Sequence, residues 1–228
     1  MQSSAITFVF VLKIGFLLFI TNLKELEARK CTALRSSCES WEKDATCFES
    51  PCSNFKYQYV RDSDKRTLLG IHNFIRKWVH THDSELPKAV RMADLEWSGE
   101  LQEIAEFLLG NCRAATCVAT AIFPNATVVH YSASDINTRA SASFYMIQRA
   151  GHNMRHLDRA QIISYDGKTN KEVKQILYHK ARKVGCGLSW KDKKADEEKD
   201  FRLSCIYDQR PVKGEPVYEL MENNINGK

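Results

Sequence analysis

Two histidines in the second half of the chain have a spacing that could chelate a metal ion. His152 and His156 are four residues apart, so on a helix both imidazoles would lie on one face. Zinc proteases with this spacing carry a glutamate directly after the first histidine as general base, whereas here Asn153, Met154 and Arg155 fill the gap. We therefore predict that the two histidines are surface residues and not metal ligands.

The 8 cysteines could bind zinc, act as nucleophiles or form disulfides. Neither a CxxC pair nor a Cys/His cluster at zinc-finger spacing is present, and no serine lies in a GxSxG nucleophile elbow. An even number of cysteines is typical of secreted domains stabilised by disulfides, which would leave no thiol for catalysis. The residues themselves predict disulfide bonds but leave their pairing open.

The N-terminal residues support an oxidising compartment. The run from Ala5 to Ile20 is apolar apart from Lys13, and it is shorter than the roughly 20 apolar residues of a membrane-spanning helix. We predict that residues 1–28 are a signal peptide cleaved after Ala28, with an uncleaved membrane anchor as the alternative. The mature protein is expected to be secreted into the extracellular space without a stable membrane anchor.

The distribution of charge argues against nucleic acid as a partner. The 33 basic and 28 acidic residues give a net charge of +5, and the two signs are interleaved, as in the run from Lys191 to Asp200. Nucleic-acid-binding proteins instead cluster Lys and Arg on one face. We expect a monomer that does not bind nucleic acid.

Apolar residues at helical spacing predict three helices. The first begins near Asp62 or Ser63, either of which can cap it, and ends before Pro87. The second begins behind Ser98, a good N-cap residue, and the third covers roughly Ala140 to Arg155. The predicted core positions of the first two helices are Leu68, Ile71, Ile75, Trp78 and Val79, and Leu101, Ile104, Ala105 and Leu108.

Two segments near the C-terminus, residues 184–190 and 201–207, alternate apolar with other side chains and predict one antiparallel hairpin. If Cys186 lies opposite Cys205, the apolar residues of the two strands face each other, so one side of the hairpin lies on the core. A disulfide between these cysteines fits this register. The other facing pairs are then Leu188 with Leu203, Trp190 with Phe201, and Val184 with Tyr207.

Three motifs give the chain a resemblance to a known family. Residues 72–76 read HNFIR, residues 92–101 read MADLEWSGEL, and residues 184–187 read VGCG. In this order they resemble the HNxxR, MxxLxWxxEL and VGCG signatures of the CAP superfamily, which comprises cysteine-rich secretory, antigen 5 and pathogenesis-related proteins. The N-terminal four-cysteine segment and the EPVYE ending at 215–219 are similar to the insect antigen 5 branch.

The resemblance implies an α+β fold, an α-β-α sandwich with a disulfide-rich N-terminal extension. Its implied boundaries are 1–28 for the signal peptide, 29–61 for the extension, 62–219 for the CAP domain and 220–228 for a polar tail. It implies the disulfides Cys31–Cys47, Cys38–Cys117, Cys52–Cys112 and Cys186–Cys205, the last in agreement with the hairpin. It also implies structural roles for the motif residues His72, Asn73, Arg76, Trp97, Glu100, Gly185 and Gly187.

Many members of this family have a cleft with two His and two Glu that holds a divalent metal. By resemblance the histidine positions fall here on Ala114 and Glu172, and the glutamate positions fall near Tyr131 and residues 145–148. No glutamate occurs between Glu106 and Glu172. Because neutral imidazoles and carboxylates are the ligands such a site needs, we predict a vacant cleft, no cofactor and no enzymatic activity.

The resemblance leaves two classes of function. The first is a secreted, non-enzymatic protein that binds an extracellular protein or a lipid, as a component of an insect glandular or seminal secretion. The alternatives are a lipid or sterol carrier, and a metal-dependent hydrolase with rearranged ligands such as His130, His152, His156 or Glu172. Asn125-Ala126-Thr127 is the only N-x-Ser/Thr sequon and predicts a glycan on Asn125.

Overall fold

The structure, a computed structural model, describes residues 56–81, 86–110, 118, 120, 122–136, 139–192 and 199–221. The predicted signal peptide, most of the predicted extension and six of the eight cysteines lie outside these residues. The disulfides predicted for Cys31, Cys38, Cys47, Cys52, Cys112 and Cys117 therefore stay predictions. In the part of the chain that is described, no helix is long and apolar enough to cross a membrane.

Helices and strands alternate along the described chain. The helices are α1 (Asp62–Thr81), α2 (Gly99–Gly110), α3 (Arg139–His152), α4 (Arg159–Ile163) and α5 (Lys171–Leu177), with a 3₁₀ turn (Asn153–His156) directly after α3. The strands are β1 (Lys56–Gln58), β2 (Glu96–Trp97), β3 (Thr127–Ile136), β4 (Lys183–Asp192) and β5 (Lys199–Tyr207). They form one sheet in the order β1-β4-β5-β3, with the short β2 paired in parallel to β4.

The predicted hairpin is confirmed, with its register. Cys186 pairs with Cys205 and the two form a disulfide. The other facing pairs are those that alternation predicted: Leu188 with Leu203, Trp190 with Phe201, and Val184 with Tyr207. The apolar side of the hairpin belongs to the larger of two hydrophobic cores.

Helices cover both faces of the sheet, which confirms the predicted α-β-α sandwich. One core contains buried side chains of α1, α3 and α5 together with the apolar side of the hairpin. The second core contains Leu101, Ala105 and Leu108 of α2 with Ile206 of β5, on the opposite face of the sheet. The predicted N-cap of α2 is confirmed, because the Leu101 N–H donates to Ser98 Oγ at 3.2 Å.

The structure corrects three details of the predicted helices. Asp62 and Ser63 lie inside α1, and the carboxylate that closes its first turn belongs to Asp64, whose Oδ2 accepts the Arg61 N–H at 2.9 Å. Trp78 is 37% exposed, because it lies at the edge of α1 and not on its sheet-facing stripe. The α-helical part of the third helix ends at His152, and the 3₁₀ turn completes the predicted span.

The two glycines of the VGCG motif let α2 lie directly on β4. A Cβ atom at Gly185 would fall 2.6 Å from Ser98 O, and one at Gly187 would fall 2.9 Å from the carbonyl carbon of Ala105. Both contacts are with backbone, which cannot rotate away as a side chain can. The motif therefore sets the distance between this helix and the sheet.

The C-terminal segment forms hydrogen bonds with three other parts of the chain. The Val217 N–H donates to Ile162 O at 2.8 Å, and the Val217 carbonyl accepts the His179 N–H at 3.0 Å. Tyr218 is fully buried and donates its hydroxyl to Pro87 O at 2.8 Å. Residues after α1, in α4 and after α5 are thus held by one stretch of chain.

Replacing Gly185 with Ala should destabilise the protein by about 3 kcal/mol, because the new methyl group forces α2 away from β4. Gly70→Ala is the matched control: it lies inside α1 with open space at its Cβ position. The control should stabilise the protein by ~0.5–1 kcal/mol through helix propensity. Urea unfolding of both variants measures the difference, and equal midpoints would contradict the close-approach argument.

Candidate functional site

A buried arginine connects α1 to three other parts of the chain. Arg76 is 0% exposed, and its guanidinium donates to Ala93 O at 2.9 Å, to Ile176 O at 2.7 Å and to Tyr178 O at 3.0 Å. A longer contact reaches Ala181 O at 3.4 Å. Burial, with a smaller effect of the nearby Arg182 cation, lowers the pKa of Arg76 to about 10, so the group stays charged at neutral pH.

Asn73, in the same motif, holds the segment that leads into β2. Its side-chain amide donates to Leu95 O at 3.1 Å, and its Oδ1 accepts the Leu95 N–H at 2.8 Å. Trp97, two residues later, donates its indole N–H to Gln102 Oε1 at 3.0 Å. Glu100 is exposed in the first turn of α2, where a negative charge is favourable next to the helix N-terminus.

His72 is the first residue of a buried chain of hydrogen bonds. Its Nδ1 lies 2.6 Å from Leu68 O and its Nε2 lies 2.8 Å from the Tyr207 hydroxyl, which in turn lies 3.3 Å from the Tyr131 hydroxyl. Because a carbonyl can only accept, Nδ1 carries the proton and Nε2 accepts from Tyr207. Both ring nitrogens of His72 are thus occupied inside the protein.

Burial opposes a second proton on this imidazole. His72 is 0% exposed, and burial is the main reason that its pKa falls from 6.5 to about 4, with a smaller contribution from the Arg76 cation. Burial also raises the pKa values of Tyr131 and Tyr207 above their ordinary value. The chain of three side chains is therefore neutral near pH 7, which suits a structural role.

The side chains that could form a rearranged metal site lie on four separate elements. His130 is on β3, where its Nδ1 lies 2.8 Å from Ser204 Oγ; His152 is on α3, His156 is in the 3₁₀ turn and Glu172 is on α5. Within the described ranges, no three His, Cys, Asp or Glu side chains come together in a group that could hold a metal ion. Ala114 lies outside those ranges, and the vacant cleft stays a prediction.

A large apolar groove lies between α1 and α3. Its volume is about 990 Å³, at the upper end of the roughly 300–1,000 Å³ typical of ligand pockets. Sequence reasoning missed it, because the pattern of α1 placed Trp78 in the core, whereas this side chain is 37% exposed and lines the groove. The main apolar side chains of its lining are Ile71, Phe74, Ile75, Trp78, Phe144 and Leu157.

Two glycines explain why the groove is open. A Cβ at Gly151 of α3 would fall 2.7 Å from Ile75 Cδ1, so the two helices meet closely at this point. At Gly70 of α1, by contrast, nothing lies within 4 Å of the Cβ position. Both glycines line the groove. The two helices are thus in contact at Ile75 and Gly151, and space remains beside Gly70.

Cationic side chains line the same groove. Arg66 of α1 and Arg155 of the 3₁₀ turn are exposed groove residues, and His152 lies beside them. Neither guanidinium makes an ion pair or a side-chain hydrogen bond within the described part of the chain. An apolar groove with free cations at its surface fits a ligand that has a hydrocarbon part and an anionic group.

Comparisons with known proteins relate the chain to venom allergens and to solved structures of similar fold. No protein-family model matches the chain. The chain is 23% identical to Venom allergen 5 of Lycosa singoriensis, over 78% of this chain and 50% of that protein. It is 26% identical to Tabinhibitin 3 of Tabanus yao, over 83% of this chain and 79% of that protein. The chain therefore spans half the length of the Lycosa protein.

Solved structures share the fold at low identity. Venom allergen-like protein 4 of Schistosoma mansoni is 15% identical, with a TM-score of 0.54 over 72% of this chain and 99% of that chain. NaASP2, whose crystal structure was determined with Zn²⁺, is 14% identical, with a TM-score of 0.56 over 72% of this chain and 88% of that chain. At this identity the likeness shows the fold.

The depressed pKa of His72 predicts a pH dependence of stability. Between pH 6.5 and about pH 4 the unfolded chain binds a proton at His72 that the folded chain does not, so acid favours unfolding. Stability should fall by up to ~3 kcal/mol as the pH decreases through this window. Urea unfolding from pH 7 to pH 4 measures the fall.

His72→Gln removes the titrating group and should flatten this part of the pH profile, although the variant is less stable overall. His156→Gln is the matched control, because it makes the same substitution at an exposed histidine that takes no part in this buried chain of hydrogen bonds. Parallel profiles for the wild type and His72→Gln would show that His72 is not the group responsible.

Proposed function

Because the chain belongs to the CAP superfamily, we propose that it is a secreted, non-enzymatic carrier of an anionic amphiphile such as a fatty acid. The observation that carries this proposal is the groove of about 990 Å³ between α1 and α3, which is mainly apolar and is also lined by Arg66 and Arg155. A hydrocarbon chain would occupy the space beside Gly70, in contact with Ile71 and Ile75. Burying such a chain is favourable by roughly 0.8 kcal/mol for each CH₂ group.

The charge of the groove favours an ionised ligand over a neutral sterol. A carboxylate beside Arg66 or Arg155 would gain a charge-assisted hydrogen bond without first breaking an ion pair. Both arginines are exposed, so solvent screening limits each contribution to about 1 kcal/mol or less. The apolar wall would thus provide most of the affinity, and the arginines the preference for an anion.

The absence of catalytic activity is part of the proposal. His72, Tyr207 and Tyr131 are buried, neutral and bonded to one another, so they are unsuited to attack or protonate a bound ligand. His152 is the titratable group that lines the groove besides the two arginines. Among the described residues of the lining there is no carboxylate to orient this imidazole, so it can contact an anion but does not form a catalytic pair. Zinc binding is the competing candidate, because the chain shares its fold with NaASP2, whose crystal structure was determined with Zn²⁺.

A fluorescent fatty acid tests the proposal directly. Cis-parinaric acid should bind the purified full-length protein at one site and be displaced by palmitate. Palmitate should compete about fivefold better than hexadecanol, because two exposed cations favour the carboxylate. Equal competition by acid and alcohol would contradict the role of the arginines, and the lack of saturable binding would contradict the proposal.

A substitution that fills the groove separates specific from unspecific binding. Gly70→Phe places a ring in the open space of the groove and should weaken palmitate binding at least tenfold. Gly99→Phe is the matched control, because Gly99 also has open space around its Cβ position but begins α2, on the opposite face of the sheet. Equal affinities for the two variants would place the ligand elsewhere.

We also propose that Asn125 carries an N-linked glycan. Its side chain is exposed, and its neighbours Phe123 and Ala126 belong to the core around α2, so the sugar would leave the groove on the other face accessible. Treatment of the secreted protein with an N-glycosidase should lower its mass, and Asn125→Gln should already have the lower mass. A wild-type mass unchanged by the enzyme would contradict this proposal.

A further inference from the structure

Positive charge is concentrated on the helical layer that contains the groove. The stretch from Lys65 to Thr81 and the stretch from Arg139 to Leu157 contain seven arginine and lysine residues and no acidic residue. The net charge of the whole chain is +5, so the rest of the protein is close to neutral or acidic. Within these two stretches the positive charges are not interleaved with acidic residues, which in α1 are confined to the first turn, at Asp62 and Asp64.

Several of these cationic side chains could contact an external partner. Arg76 is buried, and Lys65 forms an ion pair with Asp62 at 3.4 Å. Arg66, Arg149 and Arg155 are exposed, and within the described ranges none of their guanidinium groups has a carboxylate partner. The acidic residue that follows α3, Asp158, is engaged at the start of α4, where its Oδ1 accepts the Gln161 N–H at 2.7 Å.

Aromatic rings are exposed among these cations. Phe74 is 56% exposed, Tyr145 is 49% exposed and Phe144 is 40% exposed. Phe74 and Trp78 are neighbours on α1, with ring centroids 5.9 Å apart. Aromatic side chains of this kind gain free energy at the boundary between lipid headgroups and acyl chains, where Lys and Arg also meet the phosphates.

We propose that the outer face of α1 and α3 docks on the surface of an anionic phospholipid membrane. The docking face consists of Arg66, Phe74, Trp78, Tyr145, Arg149 and Arg155. The biological role of this docking rests on the proposed function: the groove would open towards the bilayer, and a fatty acid could pass between the groove and the bilayer. The contact itself depends only on the cations and the exposed rings.

Nucleic acid is the other polyanion that a basic aromatic face could bind, but the apolar groove favours a membrane. The exposed rings of Phe74 and Trp78 line the same groove as the buried side chains of Ile71 and Ile75, so the apolar surface extends from the exterior into the groove. Phospholipids supply hydrocarbon to fill such a surface, whereas a nucleic acid supplies only the faces of its bases.

Sedimentation with vesicles tests the docking face in the full-length secreted protein. Vesicles of one part phosphatidylglycerol to two parts phosphatidylcholine should bind the protein about tenfold better than phosphatidylcholine alone. High salt should remove most of this preference, because exposed charges are screened beyond about 8 Å at physiological ionic strength and over shorter distances above it. Equal binding to the two kinds of vesicle, or tighter binding to a single-stranded oligonucleotide than to anionic vesicles, would overturn the proposal.

Two residues of the docking face lie outside the groove and allow a clean variant. Arg149→Glu should weaken binding to anionic vesicles about tenfold, and Tyr145→Ser should weaken it to a smaller extent. Lys213→Glu is the matched control, since it makes the same change of net charge in an exposed turn outside α1 and α3. Equal effects of the two charge reversals would overturn the proposal, because binding would then follow net charge and not this face.

Failure of this inference and failure of the proposed function give different results. Arg149→Glu should keep the affinity of the wild type for cis-parinaric acid, because Arg149 does not line the groove. Fatty-acid binding without a preference for anionic vesicles overturns the docking face and leaves the carrier function intact. Vesicle binding that depends on Arg149 without fatty-acid binding supports the docking face and overturns the carrier function.

Discussion

The buried guanidinium of Arg76 is the contact on which the rest of the fold depends. A charged group with no exposure costs several kcal/mol unless it is well hydrogen-bonded, and here backbone carbonyls before β2, in α5 and between α5 and β4 accept four contacts from the guanidinium, the longest at 3.4 Å. Another buried cation, Lys174, has a carboxylate partner in Asp166 at 2.8 Å. Arg76 is instead stabilised by the dipoles of backbone carbonyls. The segments that carry these carbonyls must therefore keep fixed positions relative to α1. This requirement fixes the helix that forms one wall of the groove.

On one face of the sheet α2 packs closely against the strands, whereas on the other face α1 and α3 leave an open groove on their outer side. Gly185 and Gly187 allow α2 to rest against β4 with backbone touching backbone. On the opposite face, α1 and α3 are in close contact where Ile75 packs against Gly151. The groove is thus a product of where glycines lie along two helices. Arg76 holds α1 in place, so the aromatic outer side of this helix faces away from the core. That side is available for a ligand or for a membrane surface.

Much of the fold could be predicted from the sequence, because its determinants are local. Alternation with period two and two cysteines on facing strands specify the hairpin register, since a slip by one residue would turn the apolar side to the α2 face. The groove could not be predicted in this way. The exposure of Trp78 depends on the distance between α1 and α3, which are separated by more than fifty residues along the chain. The basic face depends on the same distance, because its arginines come from α1, from α3 and from the 3₁₀ turn. Each of the two stretches lacks acidic residues in the sequence, but only the fold brings them together.

The location of a bound acyl chain is the most direct test of this account. A fatty acid that carries a photoreactive diazirine in its hydrocarbon chain can be bound to the full-length protein, cross-linked by light and mapped by peptide mass spectrometry. The account predicts labelling confined to residues 66–78 of α1 and residues 144–157 of α3 and the 3₁₀ turn, with competition by unlabelled palmitate. Labelling concentrated on α2, or labelling that palmitate does not compete away, would contradict the assignment of the groove as the binding site.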